Sequence, residues 1–448
     1  MVRHAKLALY EVQPVLRKKI RELAERAGYD VLFEGPLNEK TARSDADVWI
    51  VKWTYALRAE LLDKVRPKKG IVSMTVGTEH IDKEAIARHG LLLDNCPSSP
   101  TISVAEHALA LSYLALLDEC TFPPGHGPMI FSNCGSDVFE AVMGQILIRA
   151  RNFQNSSVRA RKYDFSRSDD SWNNPEVTGS KVAIVGNNPD AMEIARVFSL
   201  GFGCELFGFD TVDELVAYGT KQTSFAQILF NSDYVFLFSD KYGNMKPSSI
   251  SCNDAGSVKT KFRSSKVGIL GAGRIGSLIA RIASLGFGCD VVAYDINQNM
   301  AFRSFGLRYA KDLNEAIADR DFIFICLPLN DQTRLLLNED ILSSVQNDRQ
   351  VIVNVSRDEI IDSRALLGQL ERGKIMGYAT DVLPDEKRLI DGLGPSDLAK
   401  ALLEHPRVFV TPHEGEASDG TVSRATMEAF GKVERMFGDF DSVIKGMI

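Results

Sequence analysis

Three apolar runs late in the chain each end on a side chain able to do chemistry. QVIVNVS runs into Arg357, MGYAT into Asp381 and RVFVTP into His413, with Glu386 a few residues past the second. A histidine whose pKa lies near neutrality can pass a proton in either direction. A carboxylate beside it raises that pKa and fixes the tautomer. An arginine offers a planar fork of donors for a carboxylate, or for an oxygen on which charge develops. Taken singly, each has an ordinary structural explanation: a loop histidine, a solvated acid, a capping ion pair. Together they need a scaffold. In an open parallel sheet ligands bind outside the carboxyl ends of the strands, so strands at these three runs would gather Arg357, Asp381, Glu386 and His413 at one crevice.

Upstream, the strand-like run VGIL enters Gly271-Ala272-Gly273-Arg274-Ile275-Gly276, and a helical pattern follows over Ser277 to Leu285. The glycines have separate tasks. The first permits the tight turn, the second lets backbone amides approach a pyrophosphate, and the third lets helix and strand pack closely, while the helix N-terminus stabilises negative charge. Asp295 ends the next strand-like run, 19 residues past Gly276. That placement suits hydrogen bonds from ribose hydroxyls. Its charge repels a 2′-phosphate, and no arginine follows it directly, which favours NAD over NADP.

The same unit occurs twice. Residues 181–210, KVAIVGNNPDAMEIARVFSLGFGCELFGFD, align with residues 266–295, KVGILGAGRIGSLIARIASLGFGCDVVAYD, and fourteen of the thirty positions are identical at a constant offset of 85. A third strand-like run follows each, NSDYVFLF and DRDFIFIC. Each copy reads as a βαβαβ-like half, and only the second is expected to continue into further strands. The first copy keeps Gly186 and Asp210 but has Asn188 and Ala191 at the second and third glycine positions, with Pro189 removing an amide donor. It reads as a structural relic without cofactor.

The remaining elements must position these groups. Over the first hundred residues, LALY, ADVWIV, GIVSM and GLLLD alternate with amphipathic stretches, one of them from Leu16 to Ala27, as in a parallel sheet covered by helices. PPGHGP, SNCGSD and SRSDDSWNNP are loop signals around one helical stretch, Val138 to Phe153, and residues 241–265 read as a linker. The formal net charge of -7 gives no general pull toward nucleic acid or an anionic membrane, and no apolar stretch reaches spanning length. The seven cysteines are scattered, with no Cys-x-x-Cys, so neither a disulfide framework nor a metal site is expected. The N-terminus lacks a signal-peptide layout, and the expected compartment is cytoplasmic.

Several ordered segments resemble the D-isomer-specific 2-hydroxyacid dehydrogenases: VGTEHID at 76–82, SPTISVAEHALAL at 99–111, GAGRIG at 271–276, CLPLNDQT at 326–333, NVSRDEIID at 354–362, ATDVLPDE at 379–386 and TPHEG at 411–415. The resemblance implies an α/β protein of two domains. One is a flavodoxin-like substrate domain from residues 1–102 and 416–448. The other is a Rossmann NAD-binding region, 103–415, made of an extra degenerate half-Rossmann repeat at 135–240, the linker 241–265 and the functional unit 266–415. It implies Arg357, Glu386 and His413 as the catalytic set and NAD as cofactor. Cofactor contacts would come from Gly271, Gly273, Arg274, Ile275, Gly276, Asp295, Leu327, Pro328, Thr333, Val355, Ser356, Asp381 and Gly415. Asp381 would hold the nicotinamide carboxamide, and Val76, Gly77 and Thr78, with Arg357, would hold the substrate. The implied reaction is hydride transfer between the nicotinamide and C2 of a small 2-hydroxy or 2-keto acid, and a homodimer is expected. His107, in SVAEHALAL, reads as a packed helix residue.

This chain departs from the family at three positions. Asp358 stands where glycine is usual, Lys387 where proline is frequent, and Glu414 where the residue is small or apolar. An acid about 4 Å from an anionic substrate costs on the order of a few kcal/mol, unless it turns away or meets a cationic group. Two other readings stay open: an NAD-sensing scaffold for protein partners, as in the related C-terminal-binding corepressors, and a paralogue that has lost activity.

Overall fold

The computed structural model describes residues 5–10, 12, 14–52, 57–78, 80–116, 129–132, 143–144, 146–148, 160, 162, 176–186, 189–209, 213–223, 232–238, 249–251, 261–345 and 347–437. The chain forms two compact units. One combines the segment up to Thr101 with the segment from Glu416 onward, and the other is built from the chain between them.

The first unit holds a five-stranded sheet of β1 (Lys6–Tyr10), β2 (Asp30–Glu34), β3 (Val48–Val51), β4 (Gly70–Ser73) and β5 (Leu92–Asn95). Every pairing is parallel, and the order β2-β1-β3-β4-β5 is the flavodoxin-like one. The strands β3 and β4 are buried along their whole length, as expected for apolar runs covered on both faces. Two helices, Pro14–Ala27 and Asp419–Met436, pack on this unit, the second tied down by the Tyr29–Phe430 ring contact at 5.0 Å. Its start is capped by Ser418, whose side chain accepts from the Thr421 amide.

Two parallel sheets make up the second unit. The larger contains β12 (Lys266–Leu270), β13 (Asp290–Tyr294), β14 (Arg308–Tyr309), β15 (Phe322–Ile325), β16 (Val351–Asn354), β17 (Gly377–Thr380) and β18 (Val408–Val410), in the order β14-β13-β12-β15-β16-β17-β18. The smaller contains β6 (Met129–Ser132), β7 (Lys181–Val185), β8 (Glu205–Phe209), β9 (Lys221–Gln222), β10 (Tyr234–Leu237) and β11 (Ser249–Ser251), in the order β11-β6-β10-β7-β8-β9. The central run β9-β8-β7-β10 has the order of β14-β13-β12-β15.

Residues 85 apart have matching geometry. Gly186 and Gly271 both turn through positive φ, at 100° and 98°. The helices Pro189–Arg196 and Arg274–Arg281 each widen into a π-type turn, Val197–Gly201 and Ile282–Gly286. Cys204 Sγ donates to Val177 O and Cys289 Sγ to Phe262 O, both at 3.1 Å. One expectation is corrected here. The first copy also continues into further strands, because β6, from upstream in the chain, pairs with the open edge of β10, and β11 pairs with β6. An unpaired strand edge leaves a row of backbone donors and acceptors that such pairing satisfies. β11 falls in the segment expected as linker, the rest of which from 241 to 260 lies outside the described residues. The helical stretch expected over Val138 to Phe153 is helical at 143–144 and 146–148, and its remainder lies outside them too.

The helix Thr101–Leu116 is apolar on nearly every face and is buried from Ser103 onward except at Leu114. Such a helix has no solvent face and must lie inside the core. Its Tyr113 packs on Phe262 and Phe287, with ring centroids 5.8 and 6.3 Å apart. Its Glu106 is fully buried, and the carboxylate accepts the Val177 and Thr178 amides at 2.9 and 2.6 Å. Burial raises the Glu106 pKa against the lowering effect of those bonds. Among the described residues no helix is long and apolar enough to cross a membrane. Glu106→Leu is expected to destabilise the protein by about 2–4 kcal/mol in urea unfolding, because it orphans one buried and one half-buried amide, and Glu106→Gln by clearly less. Equal losses for the two variants would show that the amides are not what Glu106 serves.

Candidate active site at the strand ends of the seven-stranded sheet

The turn after β12 shows three glycines doing three different things. A Cβ on Gly271 would lie 2.8 Å from Cys326 C and O, and one on Gly276 would lie 2.0 Å from Gly271 O and 2.9 Å from Ile269 Cγ2. Neither position has room for a side chain, so both are demanded by the protein's own packing. Gly273 differs. It caps the helix Arg274–Arg281 with an ordinary φ of -70°, and a Cβ there meets nothing within 4 Å. Glycine at this position keeps space free above a helix N-terminus, where the amides point outward. That vacant approach is what a dinucleotide pyrophosphate needs, and the loop fits NAD on this ground.

Asp295 follows β13, and its two oxygens accept the Ala272 and Asn297 amides, each at 2.8 Å. The carboxylate is thereby fixed beside the glycine turn, and each oxygen keeps a lone pair for a ribose hydroxyl. After β15, Leu327 O accepts from Ser356 Oγ, and Pro328 O accepts from Thr333 Oγ1 at 2.6 Å. The loops bearing Leu327, Pro328 and Thr333 are thus joined to the Val355–Ser356 turn. Arg274 and Ile275 open the helix of the glycine turn.

Arg357 lies three residues past β16, exposed, with Nη1 donating to Ser356 O at 2.8 Å. Buried Asn354 supports the same turn, donating to Arg357 O at 3.1 Å. Asp358 turns its carboxylate to Ser363 Oγ at 2.9 Å. Burial pushes its pKa up to about 7, against that hydrogen bond and with the negative charges of Glu359, Asp385 and Glu386 adding to the rise.

Asp381 follows β17 and is 4% exposed. Its Oδ1 accepts from Thr411 Oγ1 at 2.6 Å and from the Glu414 amide at 2.8 Å, and its Oδ2 from the Gly415 amide at 2.7 Å. His107 Nε2 stands 3.1 Å from Oδ1 and 2.8 Å from Thr411 Oγ1. Burial opposes ionisation of this carboxyl, yet the charge and hydrogen bond of His107, the charge of His413 and the Thr411 hydroxyl hold it well below the usual range. Gly415 completes the cradle: a Cβ there would lie 2.8 Å from Asp381 Oδ2, and its carbonyl accepts from Ser103 Oγ at 2.6 Å. Glu414 is 2% exposed.

The loop held in this way carries His413. Its Nδ1 lies 2.9 Å from both Oε1 and Oε2 of Glu386, which opens the helix Glu386–Ile390. Both sides of the pair are conformationally unusual. Asp385 and His413 have φ of 54°, a left-handed conformation that costs a non-glycine residue about 1 kcal/mol or more. The structure thus joins Glu386 to His413 and Asp381 to the loop bearing His413. Arg357 bonds locally to Ser356.

Val76, Gly77 and Thr78 belong to the other unit, in the loop after β4. Asn95 Nδ2 donates to Val76 O, and Thr75 Oγ1 donates to Gly77 O at 2.5 Å. In a trans peptide the carbonyl and amide point in opposite directions, so the Gly77 and Thr78 amides face away from the Thr75–Asn95 cluster. In the first copy, Asn188 and Asp210 lie outside the described residues, while Ala191 is buried. His107 is buried as expected, but sequence periodicity did not reveal its bond to a strand-end carboxylate. Among the described residues no group of three or more His, Cys, Asp or Glu could hold a metal ion.

Two expectations follow from this geometry. Gly273→Ala should leave the melting temperature unchanged while weakening NADH binding about tenfold or more, whereas Gly276→Ala should cost about 2 kcal/mol or more in stability; titration calorimetry beside thermal melts separates them, and equal thermal losses would contradict the division of labour. An acid whose folded pKa is raised adds stability that is full below its unfolded value near 4 and is lost as pH rises through about 7. Asp358→Asn should therefore stabilise the protein at about pH 8, by roughly 1–3 kcal/mol, and flatten the fall between about pH 4 and 7. Urea unfolding across that range checks this, and a variant less stable than the parent at high pH would refute it.

Residues 240–415 match the family model described as D-isomer specific 2-hydroxyacid dehydrogenase, NAD binding domain. Among curated relatives, a 2-hydroxyacid dehydrogenase homolog 1 of Schizosaccharomyces pombe is 36% identical over 153 residues, 33% of this chain and 46% of the relative. A D-lactate dehydrogenase of Streptococcus pyogenes serotype M1 is 35% identical over 161 residues, 35% and 48% of the two. The chain spans about half the length of the curated relatives it matches. Among solved structures, the NAD-complexed D-isomer specific 2-hydroxyacid dehydrogenase of Lactobacillus delbrueckii ssp. bulgaricus aligns with a TM-score of 0.58 at 18% identity, over 97% of this chain and 98% of that one. The pyruvate reductase of Chlamydomonas reinhardtii aligns at 0.57 and 20%, over 97% of each. These two show likeness of fold. Over residues 240–415 the chain is similar to the NAD-binding domain of the D-isomer-specific 2-hydroxyacid dehydrogenases.

Proposed function

We propose that the protein is an NAD-dependent oxidoreductase that moves a hydride between the nicotinamide and C2 of a small D-2-hydroxy or 2-keto acid. The observation that carries this reading is the His413–Glu386 pair, at 2.9 Å, on the same sheet as the open glycine turn. NAD, when bound, accepts or returns the hydride. With Glu386 holding the Nδ1 proton, Nε2 of His413 is the atom left to act. In the oxidative direction the substrate O–H proton goes to Nε2, the C2–H leaves as hydride, and the C2–O bond becomes a carbonyl. The reverse direction returns that proton to the oxygen. Glu386 also stabilises the imidazolium formed once the proton arrives.

Arg357 is exposed, and among the described residues its guanidinium bonds to a neighbouring carbonyl in its own turn, so its other donors suit a substrate carboxylate and the carbonyl oxygen. The outward amides of Gly77 and Thr78, in the other unit, are donors suited to a carboxylate. Asp381 keeps acceptor capacity on Oδ2 for the carboxamide, although most of its bonds go to the His413 loop. The turn of Asp358 toward Ser363 takes an added acid out of play for an anionic substrate. A reduced, cytosolic setting is part of this reading, supported by the free thiols of Cys96, Cys204, Cys289 and Cys326.

The test is NADH oxidation with a panel of 2-keto acids. Turnover is expected, with His413→Ala lowering kcat by about 10²–10⁴-fold at unchanged NADH affinity. Tight NADH binding with no turnover on any keto acid would replace the enzyme with an NAD-sensing protein.

A further inference from the structure

The two copies in the second unit pack on each other with the rule of a two-fold axis. In an isologous contact residue i meets j while the equivalent of j meets the equivalent of i, and at the axis equivalent residues meet each other. Gly201 and Gly286 are equivalent, and they touch. A Cβ on Gly201 would lie 3.2 Å from Gly286 Cα, and a Cβ on Gly286 3.1 Å from Gly201 Cα. Phe202 and Phe287 are equivalent, both fully buried, and their rings meet edge to face at 6.4 Å. Away from the axis the partners exchange. Arg281 Nη2 stands 4.0 Å from where a Cβ on Gly203 would be, and Arg196 Nη1 stands 3.4 Å from the same point on Gly288. Arg196 and Arg281 are equivalent, as are Gly203 and Gly288. Two similar segments packed without symmetry have no reason to reproduce both kinds of relation.

We infer that the first copy serves the NAD-binding copy as a built-in second subunit. The face through which a second chain would make this isologous contact is already filled from within, by the chain's own π-turn and aromatic side chains, and the protein is a monomer. The homodimer expected from the sequence is replaced by an internal pseudo-dimer. This inference does not depend on the reaction proposed above.

Sedimentation velocity and light scattering on the full chain test it. A mass of one chain, 49.5 kDa, is expected throughout the micromolar range, and a two-chain mass at any of those concentrations overturns the inference. A second measurement reads the symmetry itself. Gly201→Val and Gly286→Val open the same contact from opposite sides, so each should lower Tm by on the order of a few degrees. The double variant should lose clearly less than the sum, because the second substitution enters a contact already opened. Should the valine variants not fold, Phe202→Leu and Phe287→Leu give the same cycle more gently. Strict additivity in the cycle overturns the reciprocal contact.

Discussion

The site depends first on one buried carboxylate. Asp381 has almost no access to water, and a charge in that position survives only where donors replace its hydration. Two backbone amides, a threonine hydroxyl and the His107 ring do so. Three of these donors come from the segment between β18 and Gly415, and the fourth comes from the long apolar helix. Satisfying the carboxylate therefore fixes the path of the chain through His413. The imidazole is held in a left-handed backbone conformation that an unsupported histidine would leave, and its Nδ1 is turned to Glu386. A stabilising requirement of the core and the geometric requirement of the proposed proton transfer are met by the same few bonds.

The glycine turn shows the opposite arrangement. Gly271 and Gly276 are required by contacts already present in the protein, whereas Gly273 is required by nothing in it. A residue whose identity the fold leaves free, inside a turn otherwise packed to the limit, marks where something else is accommodated.

Much of this was legible in the sequence, for identifiable reasons. The strand tips at Arg357, Asp381 and His413 were readable because long apolar runs stop on a polar residue, and the glycine turn because its spacing is tied to local backbone geometry. Alternating runs and helices announced a parallel sheet in the first unit and four of its strands, while the half-exposed edge strand β2 was not among those runs and the flavodoxin-like arrangement was implied only by the resemblance. What could not be read rests on partners distant in the chain. His107 lies in a helix whose every face is buried, so periodicity could not tell that it reaches a strand-end carboxylate. β6 and β11 are three or four residues long and sit among loop-like residues, where only the open edge of β10 gives them a reason to be strands. Asp358 reads as an added negative charge, but its surroundings shift it toward neutrality and Ser363 draws it aside.

Joining the two halves of a symmetric interface in one polypeptide changes how that interface can diverge. Between identical chains every substitution is made twice, once on each side. Here Arg263 pairs with Glu193 at 3.5 Å across the seam, while the equivalent positions are Thr178 and Leu278, which cannot form an ion pair. Each side has become free to drift alone, so one half can keep a nucleotide-binding turn while the other gives up its glycines and remains indispensable as a wall.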